Sequence, residues 1–405
     1  MIQNVIDVLD FQTTSQSIFS KQTYYTIRGS DKYGDFEIHR RFKDFVALRN
    51  LLIQQWPGCY IPSLPGKKLF NGNDERTIQD RRKFLNAFCQ KLSQLPHLFQ
   101  SEEVSQIFLR SKDDKIYKKL ESIKSSSTQD LLQKYQTTFP DIVDIAIDAS
   151  ALKEIDNFAD QVRNYSIKLK NIKKIIKDSV QSGKSYNTCL EEIIKIRLIN
   201  FENSFVSQFI NQDPSLLIFN RIKQELVDTY QENSVFNSNN IEILLDLIRL
   251  ESKDCKIALK SINDRFLLEN KVKNLENKII DLEKDLEKLN QGKVSFINMI
   301  KQKSPEDSKK KIELDISENV KEINLLSDLI SFINKILALK ERNRYENEKN
   351  QQFKEIIEAL QSMELESIKI ETQYWGFILN ETNKLIAQTQ NSQQIQVQDD
   401  QTNLE

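Results

Sequence analysis

Glycine and proline are distributed along this 405-residue chain in a way that leaves few folds open. Five of the eight glycines (Gly29, Gly34, Gly58, Gly66, Gly72) and four of the seven prolines (Pro57, Pro62, Pro65, Pro96) precede residue 112. The rest of the chain holds only Gly183, Gly292, Gly376, Pro140, Pro214 and Pro305. Gly and Pro are the usual punctuation between elements, so a stretch this poor in both reads as long helices. Its three prolines then read as helix boundaries, because proline fits a first helical turn and breaks an interior. The expectation is a compact domain over 1–112 followed by helices.

The first domain reads as α+β. "NVIDVLDF" (4–11), "TYYTIRG" (23–29) and "GDFEIHRRF" (34–42) are rich in strand formers, with a hairpin turn in "GSDKYGD". From Phe42 the period changes: Phe45, Leu48, Leu52 and Trp56 recur at helical spacing. "PGCYIPSLPG" is extended, since prolines fix φ and push their predecessors out of helix. Residues 77–95 give a second helix with Phe84, Leu85, Phe88 and Leu92 inward, and 101–109 a short third.

Residues 113–149 begin charged and Ser-rich and turn amphipathic, with Leu131, Leu132, Tyr135 and Phe139 at helical spacing. Such a linker lies on a bilayer or packs on the neighbouring domain. Residues 150–388 read as three helices. The first has an irregularity at Gly183, and the others start at Pro214 and Pro305. Leu268, Val272, Leu275, Ile279, Leu282, Leu286 and Leu289 alternate steps of four and three, a heptad seam. Helices of about sixty to ninety residues, at about 1.5 Å per residue, cannot bury their stripes in a small globule. They need one another and a second chain. Residues 389–405 read as a disordered Gln/Asn-rich tail.

Several function classes fall away. The 58 basic and 59 acidic residues give no global field for nucleic acid, although residues 1–112 hold 16 Lys/Arg against 11 Asp/Glu. Only His39 and His97 occur, and no P-loop, GxSxG or metal-ligand spacing is present, which argues against an enzyme and against a cofactor. Cys59, Cys89, Cys189 and Cys255 form no CxxC pair and read as reduced, mostly buried thiols of a cytosolic protein. The start "MIQNVIDVLDF" lacks a basic n-region, and no run approaches the roughly 18 apolar residues of a membrane span.

The order of strands, "RRFKDF", "IPSLPGKK", "DRRKFLNAF" and "LPHL" resembles the PX domain, the phosphoinositide-binding module of sorting nexins, over residues 1–112. The resemblance implies that Arg41 binds a lipid 3-phosphate and that Phe42 packs under the inositol ring. It implies that Lys67 contacts the phosphodiester and Arg81 the far ring edge. A planar, permanently charged guanidinium suits a phosphomonoester. Lys43 stands where the family commonly has serine, so it contacts ring hydroxyls, turns aside or admits a further phosphate. Leu69 and Phe70 after the loop are candidates for membrane contact.

The ending "FK…YWGFILNE", with Tyr374 and Trp375, is similar to the close of sorting-nexin BAR domains, with the family's proline absent. This implies an all-α, three-helix BAR-type coiled-coil rod that pairs with itself or another sorting nexin and senses or induces membrane curvature. The implied protein sits peripherally on endosomal membranes, bound to phosphatidylinositol 3-phosphate. In such a rod the segment between the second and third helices is a tip. Lys301, Lys303, Lys309, Lys310 and Lys311 there, and Lys271, Lys273 and Lys278 outside the heptad seam, are membrane-contact candidates. The alternative is a lipid-binding tether whose helices only dimerise.

Overall fold

The computed structural model describes residues 5–17, 20–65, 74–205, 218–291 and 305–402. Lys67, Leu69, Phe70, Lys301 and Lys303 lie outside the described residues. The chain forms an N-terminal three-stranded sheet with helices, then a mostly helical region. Strands β1 (Val5–Ser17), β2 (Ser20–Asp31) and β3 (Gly34–Arg41) form an antiparallel meander in the order β1-β2-β3. The β2–β3 turn closes with Asp31 opposite Gly34, whose φ of 98° only glycine adopts readily. That closure fixes the register and sets Tyr24 opposite Arg41 and Tyr25 opposite Arg40.

Helices α1 (Phe42–Gln55) and α2 (Glu75–Ser93) cover the sheet, followed by α3 (Pro96–Phe99) and a π-helical turn, Glu103–Phe108. The core is aromatic: Phe45 meets Tyr25, Phe88 and Phe108 edge-on at centroid distances of 6.5, 6.1 and 5.0 Å. Edge-to-face rings add to their large buried area. Helix α2 is tied to β1 where the Val8 amide donates to Asn86 Oδ1 at 2.7 Å.

The segment 113–149 does not behave as a linker. Helices α4 (Ile116–Ser122) and α5 (Thr128–Thr138) and the 3₁₀ turn Pro140–Ile142 bury Ile116, Leu120, Tyr135 and Ile142. The apolar side of α5 therefore packs on protein, which is the second of the two expectations for it. Ser127 caps α5, its hydroxyl accepting from the Asp130 amide at 3.1 Å.

Beyond residue 148 come α6 (Ala149–Glu192), a π turn (Ile193–Leu198), α7 (Ile199–Phe205) and α8 (Ile218–Asn290). Then follow α9 (Pro305–Ile336), a π turn (Leu337–Glu341) and α10 (Arg342–Thr402). Pro305 opens α9 as expected. The first long helix passes through Gly183 unbroken, because one glycine costs a helix only about 1 kcal/mol. Its irregularity is the π turn at Ile193–Leu198. Helix α10 continues to Thr402, so the segment 389–402 expected to be disordered is helical: it lacks Gly and Pro, and Gln propagates a helix well.

Packing divides the chain in two, and not at residue 112. One unit joins residues 1–166 to 252–347, the other 167–251 to 348–405. In the first, the loop Pro57–Tyr60 lies on α8 and α9. The Gly58 amide donates to Asp264 Oδ2 at 3.1 Å, the Tyr60 amide to Glu341 Oε1 at 3.2 Å, and Tyr60 Oη to Asp254 Oδ1 at 2.7 Å. Lys91 also pairs with Asp254. In the second unit Leu169, Leu244 and Ile248 are buried, and Lys349 pairs with the enclosed Glu251 at 2.9 Å. Cys59, Cys89 and Cys255 are buried thiols, Cys189 is exposed, and none is in a disulfide. Among the described residues no helix is long and apolar enough to cross a membrane.

Gly58 packs closely against α9. Its φ is +82°, and an added Cβ would stand 2.5 Å from Cγ2 of Ile333. Gly58→Ala should therefore cost about 1–3 kcal/mol, from overpacking and from a backbone conformation that alanine disfavours. Urea melts of the full chain check this, and an unchanged midpoint would contradict the packing of the loop on α9.

Candidate functional site

Two adjacent arginines close β3, and strand alternation sends their side chains to opposite faces. Arg40 turns inward and is 3% exposed. Its Nε donates to the Phe108 carbonyl at 2.8 Å, Nη1 to the His39 carbonyl at 3.0 Å and Nη2 to the Ser111 carbonyl at 2.6 Å. Burial lowers its pKa to about 10, against the opposing fields of Asp44, Asp113 and Asp114, so it remains charged. Arg40 latches the end of the domain onto the sheet.

Arg41 turns to the other side, at the mouth of α1. Asp44 accepts from the Arg41 amide at 2.7 Å and from the Tyr117 amide at 3.3 Å, holding the start of α1 and of α4 together. The Asp44 carboxyl is raised by burial, an effect that outweighs the hydrogen bond from the Arg41 backbone and the nearby guanidinium charges. The Arg41 guanidinium lies between the rings of Tyr24 and Tyr117, 5.5 and 5.8 Å from their centroids. Nη1 donates to Gln22 Oε1 at 3.1 Å and Nη2 to the Asp114 carbonyl. Nε lies 4.0 Å from Asp44 Oδ2 and is enclosed without a hydrogen-bond partner.

Phe42 follows Arg41 in the chain and packs with Arg81 in the fold. The Arg81 guanidinium lies 5.1 Å from the centre of the Phe42 ring, and its Nη1 donates to Tyr25 Oη at 3.2 Å. Burial raises the Tyr25 phenol, with Arg81 pulling the other way. Arg81 is only 4% exposed, so it stands beneath Phe42 and not at the rim. Lys43 is exposed, with Nζ 3.7 Å from the centre of the Tyr117 ring. Arg41, Phe42, Lys43 and Arg81 therefore cluster.

Gln22, Tyr24, Asp114 and Tyr117 surround the Arg41 guanidinium, and the sequence alone does not single them out. Tyr24 follows from the hairpin register once Asp31 is set against Gly34. Asp114 and Tyr117 lie in the stretch that reads as a linker, so only its burial reveals them. The arrangement sets a guanidinium at a helix N-terminus between two rings, chemistry that suits an anion.

Among the other candidates, Lys271 pairs with Glu322 at 2.9 Å and Lys278 donates to Asn319 Oδ1 at 3.4 Å, while Lys273 is exposed. Lys309, Lys310 and Lys311 are exposed on the first turns of α9.

The two arginines should separate experimentally. Arg40→Gln strands buried carbonyls and should lose about 2–3 kcal/mol of stability, whereas Arg41→Gln should lose clearly less. Equal losses in urea melts would mean that the two side chains share one role.

Residues 29–112 match the family described as PX domain. Sorting nexin-4 of Eremothecium gossypii is 40% identical over 85 residues, 20% of each chain. Sorting nexin-4 of Saccharomyces cerevisiae is 36% identical over 103 residues, 24% of each chain. The matched stretch thus spans about a quarter or less of these curated relatives. The SNX-BAR Mvp1 tetramer seen by cryo-electron microscopy aligns with 94% of this chain and 99% of its own, at 16% identity and a TM-score of 0.49. Residues 29–112 therefore form a PX domain that is similar to the matching module of sorting nexins, and long helices follow it.

Proposed function

We propose that the chain is a peripheral membrane protein that binds phosphatidylinositol 3-phosphate on endosomes through the Arg41 pocket. The observation that carries this reading is the Arg41 guanidinium at the mouth of α1, inside a PX domain, with Nε unbonded. A phosphomonoester displaces two neutral acceptors, Gln22 Oε1 and the Asp114 carbonyl, and replaces them with ionic hydrogen bonds in which both partners are charged. Lys43, drawn to the Tyr117 ring, stands beside the phosphate without closing the pocket. Lys67, Leu69 and Phe70 complete the headgroup and bilayer contacts in this proposal. Lys301, Lys303, Lys309, Lys310 and Lys311 add attraction to an anionic leaflet of about 1 kcal/mol each.

Arg41→Gln should weaken flotation with phosphatidylinositol 3-phosphate liposomes by roughly 10- to 100-fold, the worth of one charge-assisted contact. Undiminished flotation would overturn the pocket. In the same assay, Glu at Lys309, Lys310 and Lys311 should reduce binding most at low salt, because exposed charges are screened.

The helical region, on this proposal, is a BAR-type dimerisation domain acting in membrane curvature during endosomal sorting. Its support is the apolar face of α10. Phe353, Ile357, Leu365, Ile368, Trp375 and Leu379 are each 46–62% exposed, and at 100° per residue they fall within about 120° of one face. A face this long and apolar is an interaction surface, and a second copy presents the same stripe. Leu365→Glu with Ile368→Glu should convert a dimer to a monomer in light scattering. A parent that is already monomeric at micromolar concentration, or a variant that still dimerises, would refute this interface.

A second reading, a tether without curvature activity, is favoured by Lys271 and Lys278, which are already engaged by Glu322 and Asn319. Electron microscopy of liposomes separates the two readings: tubules require curvature activity, and clustered spherical vesicles indicate tethering.

A further inference from the structure

Cys59, His97 and Glu341 are distant in sequence, and the fold brings one ligand atom from each within 4.8 Å of the others. Among the described residues this is the one such group of metal-ligating side chains. Each comes from a different element: Cys59 from the loop after α1, His97 from α3, and Glu341 from the end of the π turn Leu337–Glu341. π turns inside α-helices are frequent at functional sites. We propose that these three side chains bind a zinc ion that staples the PX domain to the π turn between α9 and α10.

The donor set supports zinc. Thiolate, imidazole and carboxylate together suit a borderline-soft d¹⁰ ion and not calcium or magnesium. Tetrahedral zinc with bonds of about 2.0–2.3 Å holds its ligand atoms about 3.3–3.8 Å apart, so small side-chain rotations close the site. Charge also balances. A thiolate, a carboxylate and a neutral imidazole around a divalent cation sum to zero, which makes burial tolerable. The thiol proton leaves to bulk water as the metal binds. Burial, together with the neighbouring Glu341 carboxylate, holds the free thiol above its ordinary range, and because that proton must leave, binding strengthens with pH.

The His97 side chain supplies an independent observation: Nε2 is enclosed and has no hydrogen-bond partner. A buried polar nitrogen left unmatched is costly unless something occupies its lone pair or proton. The ring is held by Trp56 and Phe139, at centroid distances of 5.2 and 5.3 Å. Outer contacts also fix Glu341: Oε1 accepts from the Tyr60 amide at 3.2 Å and Oε2 from Arg344 Nε at 2.8 Å. A carboxylate has about four lone-pair sites, so each oxygen retains acceptor capacity for a metal. An open cavity of about 700 Å³ lined by His97, Trp56 and Lys134 gives an ion and a fourth, water ligand a route in.

The test uses the full chain, purified with a reductant. Elemental analysis should find about one zinc per chain after dialysis against metal-free buffer, as tight structural sites retain their ion. After stripping with chelator, cobalt chloride should restore visible d–d bands and a near-ultraviolet thiolate charge-transfer band. Cys59→Ser should abolish the charge-transfer band, and His97→Gln should lower zinc content at least 10-fold. Zinc should raise the unfolding temperature of the stripped parent and not that of either variant. Less than a tenth of a zinc per parent chain, combined with no cobalt charge-transfer band, would overturn the site. So would a Cys59→Ser chain that keeps the band. If Cys59→Ser fails to fold by circular dichroism, the parent's metal content and His97→Gln still decide.

Discussion

The loop between α1 and α2 carries the donors on which the first unit depends. Gly58, Tyr60 and the neighbouring Lys91 present their N–H, O–H and ammonium groups to three carboxylates of the long helices, Asp264, Glu341 and Asp254. Asp254 is 2% exposed, and Tyr60 Oη and Lys91 Nζ both reach it. Deleting one partner of such a pair leaves an uncompensated buried charge, a loss of about 3–5 kcal/mol. These contacts therefore specify how the PX domain meets the helices far more than they add to stability. Around them Trp56, His97, Tyr135, Phe139 and Phe332 form a continuous ring cluster. The stretch that reads from sequence as an extended proline loop is, over residues 56–65, mostly buried.

What was legible in the sequence is what local physics decides. The turn at Asp31–Gly34, the change of period at Phe42, and Pro305 as a helix start depend on residues within a few positions. The heptad seam is also legible: Leu268, Val272, Leu275, Ile279, Leu282, Leu286 and Leu289 are all half-buried. The pocket was legible in part. Arg41 and Phe42 come from a motif, and Tyr24 from the register, whereas Tyr117 and Asp114 arrive through the burial of Ile116 and Leu120. That burial depends on surfaces far away in the chain, which periodicity does not reveal. The same limit hid the cluster of Cys59, His97 and Glu341, whose separations match no ligand spacing. Gly183 misled because a weak local preference is overridden when the helix on both sides is continuous.

Arg40 and Arg41 show how one dipeptide divides two tasks. Pleating turns Arg40 toward three carbonyls and Arg41 toward two rings and the amide oxygen of Gln22. The first is a structural cation whose three nitrogens each donate to a backbone carbonyl. The second keeps an unbonded Nε, and its other partners are neutral. Neutral acceptors suit an arginine proposed to bind phosphate: they hold the fork in place yet lose to a phosphate, whose own charge strengthens the bonds further. A carboxylate in full contact would compete too well. Asp44, 4.0 Å from Nε, stays at the margin because its oxygens already accept from the Arg41 and Tyr117 amides.

Asp44 thereby joins the pocket to the fold. The same carboxylate caps α1, where Arg41 sits, and α4, whose Ile116 and Leu120 are buried. Helix α5 follows and places Tyr135 against both Trp56 and Phe332 of α9. The wall of the pocket is thus built from the segment that also packs on the long helices. A phosphate that displaces the Asp114 carbonyl acts on residues only two positions before Ile116, at the start of that packed segment. Because the interior is close-packed, movement there is resisted by α5 and α9 and not absorbed by a loose tether. On the proposed reading, headgroup affinity would depend on the PX domain together with the helices it packs on. Cutting the chain after residue 112 would remove Asp114 and Tyr117 and leave Arg41 with half of its wall.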